Sequence, residues 1–326
     1  MKNKLVVLIV VQAILICILG MVVIKPKIQV LRSQMQEEQV IKEMFEQKVD
    51  LSQYESLEDD PDAWYSRYHF IAHSGGRIDG KLYSNSLEAW EKSYSAGVRI
   101  IDADITTTSD NYLIIRHGWG DNLEQTEEHI DASLSKKNRF NVLSYPISDV
   151  VRLDYSTYVS KKIYQKYTPM DVKTMLAFMN EHKDVFVACD MKGDPVEGYR
   201  RLLDEVNKYG TLELLDRIIV SFYNYEDLQK IKEVYPFKNW MIRQYQNSPH
   251  NYSELIEFCL NNNIHAVCVQ ADYCEPTMMK LMREKGLHIT LACVDFITEM
   301  KTFYEMGACG AVSNDLVEED WEYVIK

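Results

Sequence analysis

Two histidines and a pair of alternating carboxylates are the side chains of this chain best suited to chemistry. His73 and His117 each follow a short apolar run, and Asp102 and Asp104 alternate with apolar residues within another. Titratable groups at the ends of buried strands are costly unless they do chemistry or bind an ion. Imidazoles exchange protons near neutral pH, and alternating carboxylates can hold a hard cation. This set predicts metal-assisted phosphodiester chemistry.

The elements that must position these residues are short apolar runs separated by amphipathic helical segments, from about residue 66 onward. Nine such runs are predicted as strands, at 69–73, 99–104, 113–117, 185–192, 217–222, 240–244, 266–270, 288–294 and 310–314. The connection before the third run is too short for a helical crossover, which makes that run an extra strand. We therefore expect an α/β fold, a (β/α)8 TIM barrel, with a doubly wound open sheet as the alternative.

Catalytic residues of such a barrel lie at the carboxyl ends of different strands. The two histidines and two aspartates named above are predicted at this rim, and Asp190 and Lys192 join them from another strand. The stretch 118–183 interrupts the alternation and is rich in Asp, Glu, Ser, Tyr and Lys, with a helical run at 170–181. We expect it to be an insertion over the active-site face that selects the substrate.

The amino-terminal segment predicts a membrane anchor. Residues 5–24 form an apolar run without a charged residue, and lysines lie on both sides of it. About 20 apolar residues at roughly 1.5 Å each match the thickness of the hydrocarbon core. A cleaved signal peptide is the alternative. The predicted order is a short tail at 1–4, the anchor at 5–24, a partly helical juxtamembrane linker at 25–60 and the barrel domain at 61–326.

Charge and cysteine content bear on partners and location. The net charge of −13 argues against nucleic acid as a partner, although one phosphate can still bind in a metal site. The seven cysteines show no pairing pattern and are expected to be reduced, which favours the cytoplasm or an anaerobic surface. The short amino-terminal tail most simply stays inside, so we expect a single-pass membrane protein with an extracytoplasmic catalytic domain.

Five motifs, taken in order, resemble those of the glycerophosphodiester phosphodiesterase family, within the phosphatidylinositol phospholipase C-like superfamily. The family's His-Arg-Gly, Glu-Asn-Thr, Glu-x-Asp, His-Asp and Glu-x-Lys correspond here to His73-Ser74-Gly75, Ser84-Asn85-Ser86, Asp102-Ala103-Asp104, His117-Gly118 and Asp190-Met191-Lys192. The resemblance covers about residues 68–316 and is strongest to a less characterised branch. It implies a TIM barrel and hydrolysis of a glycerophosphodiester to an alcohol and a glycerol phosphate.

The resemblance also implies roles for individual residues. His73 and His117 would act as general acid and base, in an order that the sequence leaves open, and Lys192 would contact the phosphate. The implied ligands for a divalent cation, Mg2+ or Ca2+, are the three carboxylates Asp102, Asp104 and Asp190.

The chain also departs from the family pattern. Ser74 stands in place of an arginine that would bind phosphate, with Arg77 and Arg116 as candidate substitutes, and Asp102 and Asp190 are one methylene shorter than the family's glutamates. Two other functions therefore stay open. One is phospholipase C-like or D-like cleavage of a lipid headgroup, and the other is a catalytically silent barrel that binds a polyol phosphate.

Overall fold

The computed structural model describes residues 51–119, 152–245 and 251–326. The predicted tail and anchor, the linker up to residue 50 and residues 120–151 of the predicted insertion lie outside these ranges. Among the helices within them, none combines the length and the apolar character that crossing a bilayer requires.

Eight parallel strands close into a barrel. Numbered along the chain, the strands are β1 (Phe70–Ala72), β2 (Ile100–Thr107), β3 (Leu113–Ile115), β4 (Met170–Asp171), β5 (Phe186–Met191), β6 (Ile218–Phe222), β7 (Asn239–Gln244), β8 (Ala266–Gln270), β9 (His288–Ala292) and β10 (Gly310–Ser313). The barrel runs β1-β2-β5-β6-β7-β8-β9-β10, and it closes because β1 pairs in parallel with both β2 and β10. The predicted TIM barrel is confirmed, and the open-sheet alternative is wrong.

Two further strands extend the sheet beyond the barrel. β3 pairs antiparallel with β2, and β4 pairs antiparallel with β3. The third predicted run is thus the extra strand, as expected. The two residues of β4 were predicted as the start of a helix. They pair instead with Ile114 and Ile115, and the Asp171 side chain then caps the following helix by accepting a hydrogen bond from the Thr174 amide at 2.7 Å.

Helices alternate with the barrel strands, as the sequence predicts. They are α1 (Trp64–Arg67), α2 (Leu87–Ser95), α3 (Tyr155–Ser160), α4 (Val172–Glu181), α5 (Pro195–Tyr209), α6 (Tyr225–Val234), α7 (Tyr252–Asn262), α8 (Pro276–Glu284), α9 (Ile297–Met306) and α10 (Trp321–Val324). Short 3-10 helices lie at Leu51–Gln53, His73–Gly75, Leu212–Arg217, Ala271–Tyr273 and Glu318–Asp320. Ser86 caps α2, and Asp194 caps α5 with Pro195 at the first helical turn.

The barrel interior changes from apolar to charged along its axis. One half is filled by a cluster of buried apolar side chains from all eight barrel strands and α1, namely Trp64, Ile71, Ile100, Ala188, Ile219, Met241, Ala266, Cys268, Ala292 and Val312. Burial of each large member contributes roughly 1.5–3 kcal/mol. Charged side chains replace apolar ones toward the carboxyl ends of the strands, where Asp102, Asp104, Asp190 and Arg243 are all buried. The apolar half therefore provides a rigid support beneath a charged mouth.

Candidate active site

All six residues predicted for the site lie at the carboxyl-terminal mouth of the barrel. They are His73 directly after β1, Asp102 and Asp104 in β2, His117 two residues after β3, Asp190 in β5 and Lys192 directly after β5. In β2 and β5, Asp104 and Asp190 are paired in register. The fold therefore brings together residues that are up to 119 positions apart in the sequence.

Lys192 joins two of the predicted carboxylates. Its Nζ atom lies 2.8 Å from Oδ1 of Asp104 and 2.8 Å from Oδ2 of Asp190. The other oxygen of Asp104 accepts hydrogen bonds from Ser74 Oγ at 2.6 Å and Asn85 Nδ2 at 2.9 Å. Burial alone would raise the pKa of Asp104, but the Lys192 ammonium, the His117 ring and the Ser74 hydroxyl hold that pKa well below its usual range. The same ion pairs raise the pKa of Lys192 despite its burial, so the ammonium stays charged.

Arg243 is a buried cation of the site that the sequence interpretation missed. Its side chain, 2% exposed, places Nη2 at 2.5 Å from Oδ1 of Asp102 and Nη1 at 3.9 Å from Oδ2 of Asp190. It also donates to Ser221 Oγ at 3.2 Å and to Tyr245 Oη at 3.2 Å. Burial raises the pKa of Asp102, and the Arg243 guanidinium opposes that rise. The sequence does contain a signal for Arg243, because this cation lies near the end of the predicted strand 240–244. Asp190 was selected by the same criterion, a charged side chain near the end of a predicted strand.

The three carboxylates meet as predicted, but they do not form an open set of metal ligands. Four of their six oxygens already accept hydrogen bonds from Arg243, Lys192 or neutral donors. Within the described ranges, no group of three His, Cys, Asp or Glu side chains is placed to hold an ion. Ligation of Mg2+ or Ca2+ by Asp102, Asp104 and Asp190 stays a prediction, and in this structure these carboxylates are paired with two protein cations.

His73 is held by neighbours from the ends of two other strands. Its Nδ1 atom lies 3.2 Å from Oδ1 of Asn314 and 3.5 Å from the sulphur of Cys293. The Asn314 amide nitrogen donates to both oxygens of Asp295, at 3.1 and 2.9 Å, which turns its oxygen toward the histidine. Burial would lower the pKa of His73, but Cys293 and the carboxylates Asp102 and Asp104 raise it to about 9. The ring is therefore charged at neutral pH.

His117 is exposed at the same mouth, and Tyr83 links the two histidines. The Tyr83 ring lies edge-on to His73, with centroids 4.6 Å apart, and 6.2 Å from the centroid of His117. Tyr83 is half-buried and has a φ of 53°, in the left-handed region. The Tyr83 ring therefore lies beside both histidines that the sequence predicts to be catalytic.

The arginines considered as substitutes for the missing one are engaged elsewhere. Arg77 forms two hydrogen bonds with Asp315, at 2.7 and 2.8 Å. Arg116 is buried with its guanidinium 5.3 Å from the ring of Trp119, whose indole nitrogen donates to the Thr107 carbonyl at 2.7 Å. Lys192 and Arg243 are instead the cations that lie among the predicted site residues.

The carboxyl mouth of this parallel barrel thus holds two histidines and two cations, Lys192 and Arg243. The model of the glycerophosphoryl diester phosphodiesterase family matches residues 73–318, and the chain belongs to that family of phosphoric diester hydrolases. Members of the family generally use a divalent cation. None of the curated proteins compared with this chain matches it significantly.

Solved structures of the family share the fold. A glycerophosphodiester phosphodiesterase from Parabacteroides distasonis is 16% identical, with a TM-score of 0.57 over 79% of this chain and 96% of its own. A phosphodiesterase from Oleispira antarctica, solved with the product sn-glycerol-3-phosphate, is 12% identical, with a TM-score of 0.59 over 80% of this chain and 98% of its own. At such identities the likeness establishes the fold alone.

Proposed function

We propose that this chain hydrolyses a glycerophosphodiester to a glycerol phosphate and an alcohol at the mouth of the barrel. The observation that carries the proposal is the placement of His73, His117 and the Lys192 ammonium at one mouth, in a member of this family. Proton transfer and charge neutralisation are the two contributions that phosphodiester hydrolysis needs from a protein. The product found in the Oleispira antarctica enzyme supports glycerol phosphate as the product here.

We assign His73 as the general acid and His117 as the general base. A water oxygen attacks phosphorus and gives its proton to His117, while the bond from phosphorus to the alcohol oxygen breaks and that oxygen takes a proton from His73. His73 suits the acid role because its pKa of about 9 keeps it protonated at neutral pH. Asn314 contacts Nδ1, so the proton proposed for transfer is the one on Nε2, which lies 3.9 Å from the Cys293 sulphur. Such transfers typically contribute about 10²–10⁴-fold each.

Lys192 is proposed as the phosphate contact. Two of its three N–H groups point to Asp104 and Asp190, and 23% of its side chain is exposed at the mouth. The remaining N–H can donate to a phosphate oxygen as charge builds in the transition state. No step is assigned to a metal ion, because the three carboxylates are paired with Lys192 and Arg243.

The apolar, charge-free run at 5–24 supports a membrane location for this activity. We propose that it anchors the catalytic domain, which follows the linker at 25–60, on the extracytoplasmic side, and that the insertion at 118–183 selects the alcohol. Membrane fractionation and protease accessibility in intact cells test this arrangement. If protease digests the catalytic domain only after the cells are lysed, the domain lies inside, which would contradict the proposed extracytoplasmic side.

One observation favours a lipid as a second candidate substrate. The side chain of Phe296 is 69% exposed, and it directly follows Asp295, the partner of Asn314 beside His73. An exposed aromatic at the rim of the site suits contact with an acyl chain. Cleavage of a lysophospholipid or an intact phospholipid in preference to deacylated diesters would favour this function.

The test is release of phosphomonoester by the full chain in detergent from glycerophosphocholine, glycerophosphoethanolamine, glycerophosphoglycerol and lysophosphatidylcholine. His73→Ala and His117→Ala should abolish turnover. His265→Ala is the matched control, because His265 precedes β8 at the opposite end of the barrel and stacks on Tyr65 with centroids 4.9 Å apart. Absence of turnover on every diester by a folded protein would leave the silent polyol-phosphate-binding barrel.

A further inference from the structure

We propose that Arg243 occupies the place of a divalent cation in this barrel, so that the chain binds no metal ion among its three carboxylates and hydrolyses its diester without one. The statement about ion binding stands by itself, and the statement about hydrolysis rests on the proposed function. Members of the family generally use a divalent cation, whereas the carboxylates of this chain are paired with two protein cations.

Arg243 bridges two of the carboxylates that an ion would have to bridge. Its guanidinium contacts Asp102 at 2.5 Å and lies 3.9 Å from Asp190, and its side chain is 2% exposed. Ser221 and Tyr245 accept further hydrogen bonds from the same group. A guanidinium keeps its charge in proteins, so this cation cannot be lost by deprotonation. The position between Asp102 and Asp190 is thus permanently filled by positive charge.

Lys192 closes the other side of the cluster. Its Nζ atom is 2.8 Å from both Asp104 and Asp190, and Ser74 and Asn85 complete the bonding of Asp104. Mg2+ and Ca2+ need about six to eight oxygen ligands at roughly 2.0–2.6 Å. An ion that took these carboxylates as ligands would compete with Lys192 for Asp104 and Asp190 and with Arg243 for Asp102, and the Arg243 side chain is only 2% exposed.

The charge of the cluster also disfavours an ion. Three carboxylates and two cations leave a net charge of one negative unit, in contrast to the three negative units that an unpaired set would present. A divalent ion would enter within a few ångströms of two like charges, where repulsion is only weakly screened. Burial at the barrel centre strengthens that repulsion, because little solvent reaches the group.

The shortened carboxylates fit the same interpretation. Asp102 and Asp190 each stand where the family motifs have a glutamate, and these are the two residues that face Arg243. A side chain one methylene shorter withdraws its oxygens toward the strand and leaves more space on the barrel axis. A planar guanidinium is far larger than a bare ion and needs that space. The two shorter carboxylates and Arg243 are therefore consistent with one change, the replacement of a metal ion by a guanidinium.

The deciding experiment is ion binding by the full chain after EDTA treatment. Calorimetric titration with Mg2+, Ca2+ and Mn2+ at millimolar concentrations should show no saturable binding, and the Tm should be equal in EDTA and in each ion. Turnover in EDTA should equal turnover in Mg2+. Binding of one ion per chain, with a raised Tm, would overturn the proposal whether or not the protein turns over a diester. Absence of turnover without ion binding would instead count against the proposed function alone.

A variant tests whether Arg243 is the reason that the chain binds no ion. Arg243→Met removes the charge at similar volume, and we expect it to gain ion binding, seen as a Tm that rises with Ca2+ or Mg2+, and to lose about 10²–10³-fold of the EDTA-resistant rate. Arg217→Met is the control, because Arg217 donates only to backbone carbonyls, including that of Met179 at 2.6 Å, before β6. A folded Arg243→Met that remains indifferent to ions would also overturn the proposal. The titration of the unmodified chain decides the question if the variant does not fold.

Discussion

His73 and Asn314 are joined by a hydrogen bond of 3.2 Å between Nδ1 of the imidazole and Oδ1 of the amide. Asp295 fixes the orientation of the Asn314 side chain. Its carboxylate accepts hydrogen bonds from the Asn314 side-chain amide and from the Asn314 backbone N–H, the latter at 2.7 Å. The three residues come from the ends of β1, β9 and β10. They fix the ring orientation of His73 and aim its Nε2 proton away from Asn314.

Removal of the amide should therefore impair proton transfer without removing the histidine. We expect Asn314→Leu to lower kcat by about 10-fold or more, within the 10²–10⁴-fold that acid–base catalysis supplies, with a smaller change in KM. The check is a double-mutant cycle with His73→Ala. In that background the Asn314 change should have little further effect, and an equal, additive loss would contradict the positioning role.

Cys293 should control the alkaline limit of activity. Its sulphur lies 3.5 Å from Nδ1 of His73 and is among the groups that raise the pKa of His73 to about 9. An acid that must be protonated gives a constant rate below its pKa and a falling rate as pH rises through it. Cys293→Ala should move this fall to lower pH.

The measurement is a pH–rate profile of the unmodified chain and the variant. Cys274→Ala is the control, because Cys274 follows β8 and its sulphur lies 4.0 Å from the Gln270 carbonyl. Its profile should match that of the unmodified chain. An unchanged profile in Cys293→Ala would show that the sulphur does not govern the charge of His73.

Lys192 should be important for stability as well as for rate. Lys192→Met leaves Asp104 and Asp190 with one cation fewer in a buried site, and breaking such a pair typically costs about 3–5 kcal/mol. The pKa values of both carboxyls are lowered in the folded chain, so their stabilising effect is present above the ordinary carboxyl pKa and is lost as pH falls. The loss of unfolding free energy should therefore shrink in acid.

Urea unfolding at neutral and acidic pH tests this expectation. The control is Lys230→Met, which removes an exposed pair with Glu226 at 3.9 Å and should change the unfolding free energy by less than about 0.5 kcal/mol. A loss of equal size for both variants would contradict the importance of burial.

Glu318 should stabilise the closure of the barrel without affecting catalysis. Its carboxylate accepts hydrogen bonds from the backbone N–H groups of His69 and Phe70, at 2.9 and 3.0 Å, where β1 begins. Glu318→Ala leaves both donors unsatisfied, and we expect a loss of about 1–3 kcal/mol in unfolding free energy with kcat unchanged. Glu319→Ala, at the exposed neighbouring position, should be nearly neutral. A fall in kcat for Glu318→Ala would contradict the separation of the two ends of the barrel.

The barrel was predictable because each of its strands is a short apolar run that can be recognised from neighbouring residues in the sequence. All nine predicted runs contain observed strands, and the antiparallel role of β3 followed from the length of the connection before it. β4 was missed because two residues carry no period, and because Met170 is apolar enough to belong to the helix that follows. Local pattern could not show that Met170 pairs with Ile115.

The positions of the site residues were predictable for the same reason, but their partners were not. A polar residue at a strand end is visible in the sequence, whereas the pairing of Arg243 with Asp102 spans 141 positions and depends on which strands face each other across the barrel. The shortened carboxylates were visible as departures from a motif. Their approach to a cation from β7 arises only when the barrel closes.

The two histidines follow strands of different kinds, because β3 and β4 form an extension outside the closed barrel. His73 follows a strand of the closed barrel, whereas His117 follows β3, which pairs with β2 on one side and with the two residues of β4 on the other. Changes in β4 can thus shift His117 while the ring that carries His73 and the cations stays intact. The proposed acid and base thus follow two different parts of the sheet, so the distance between them, and with it the size of the accepted diester, can change in evolution without a change in the barrel.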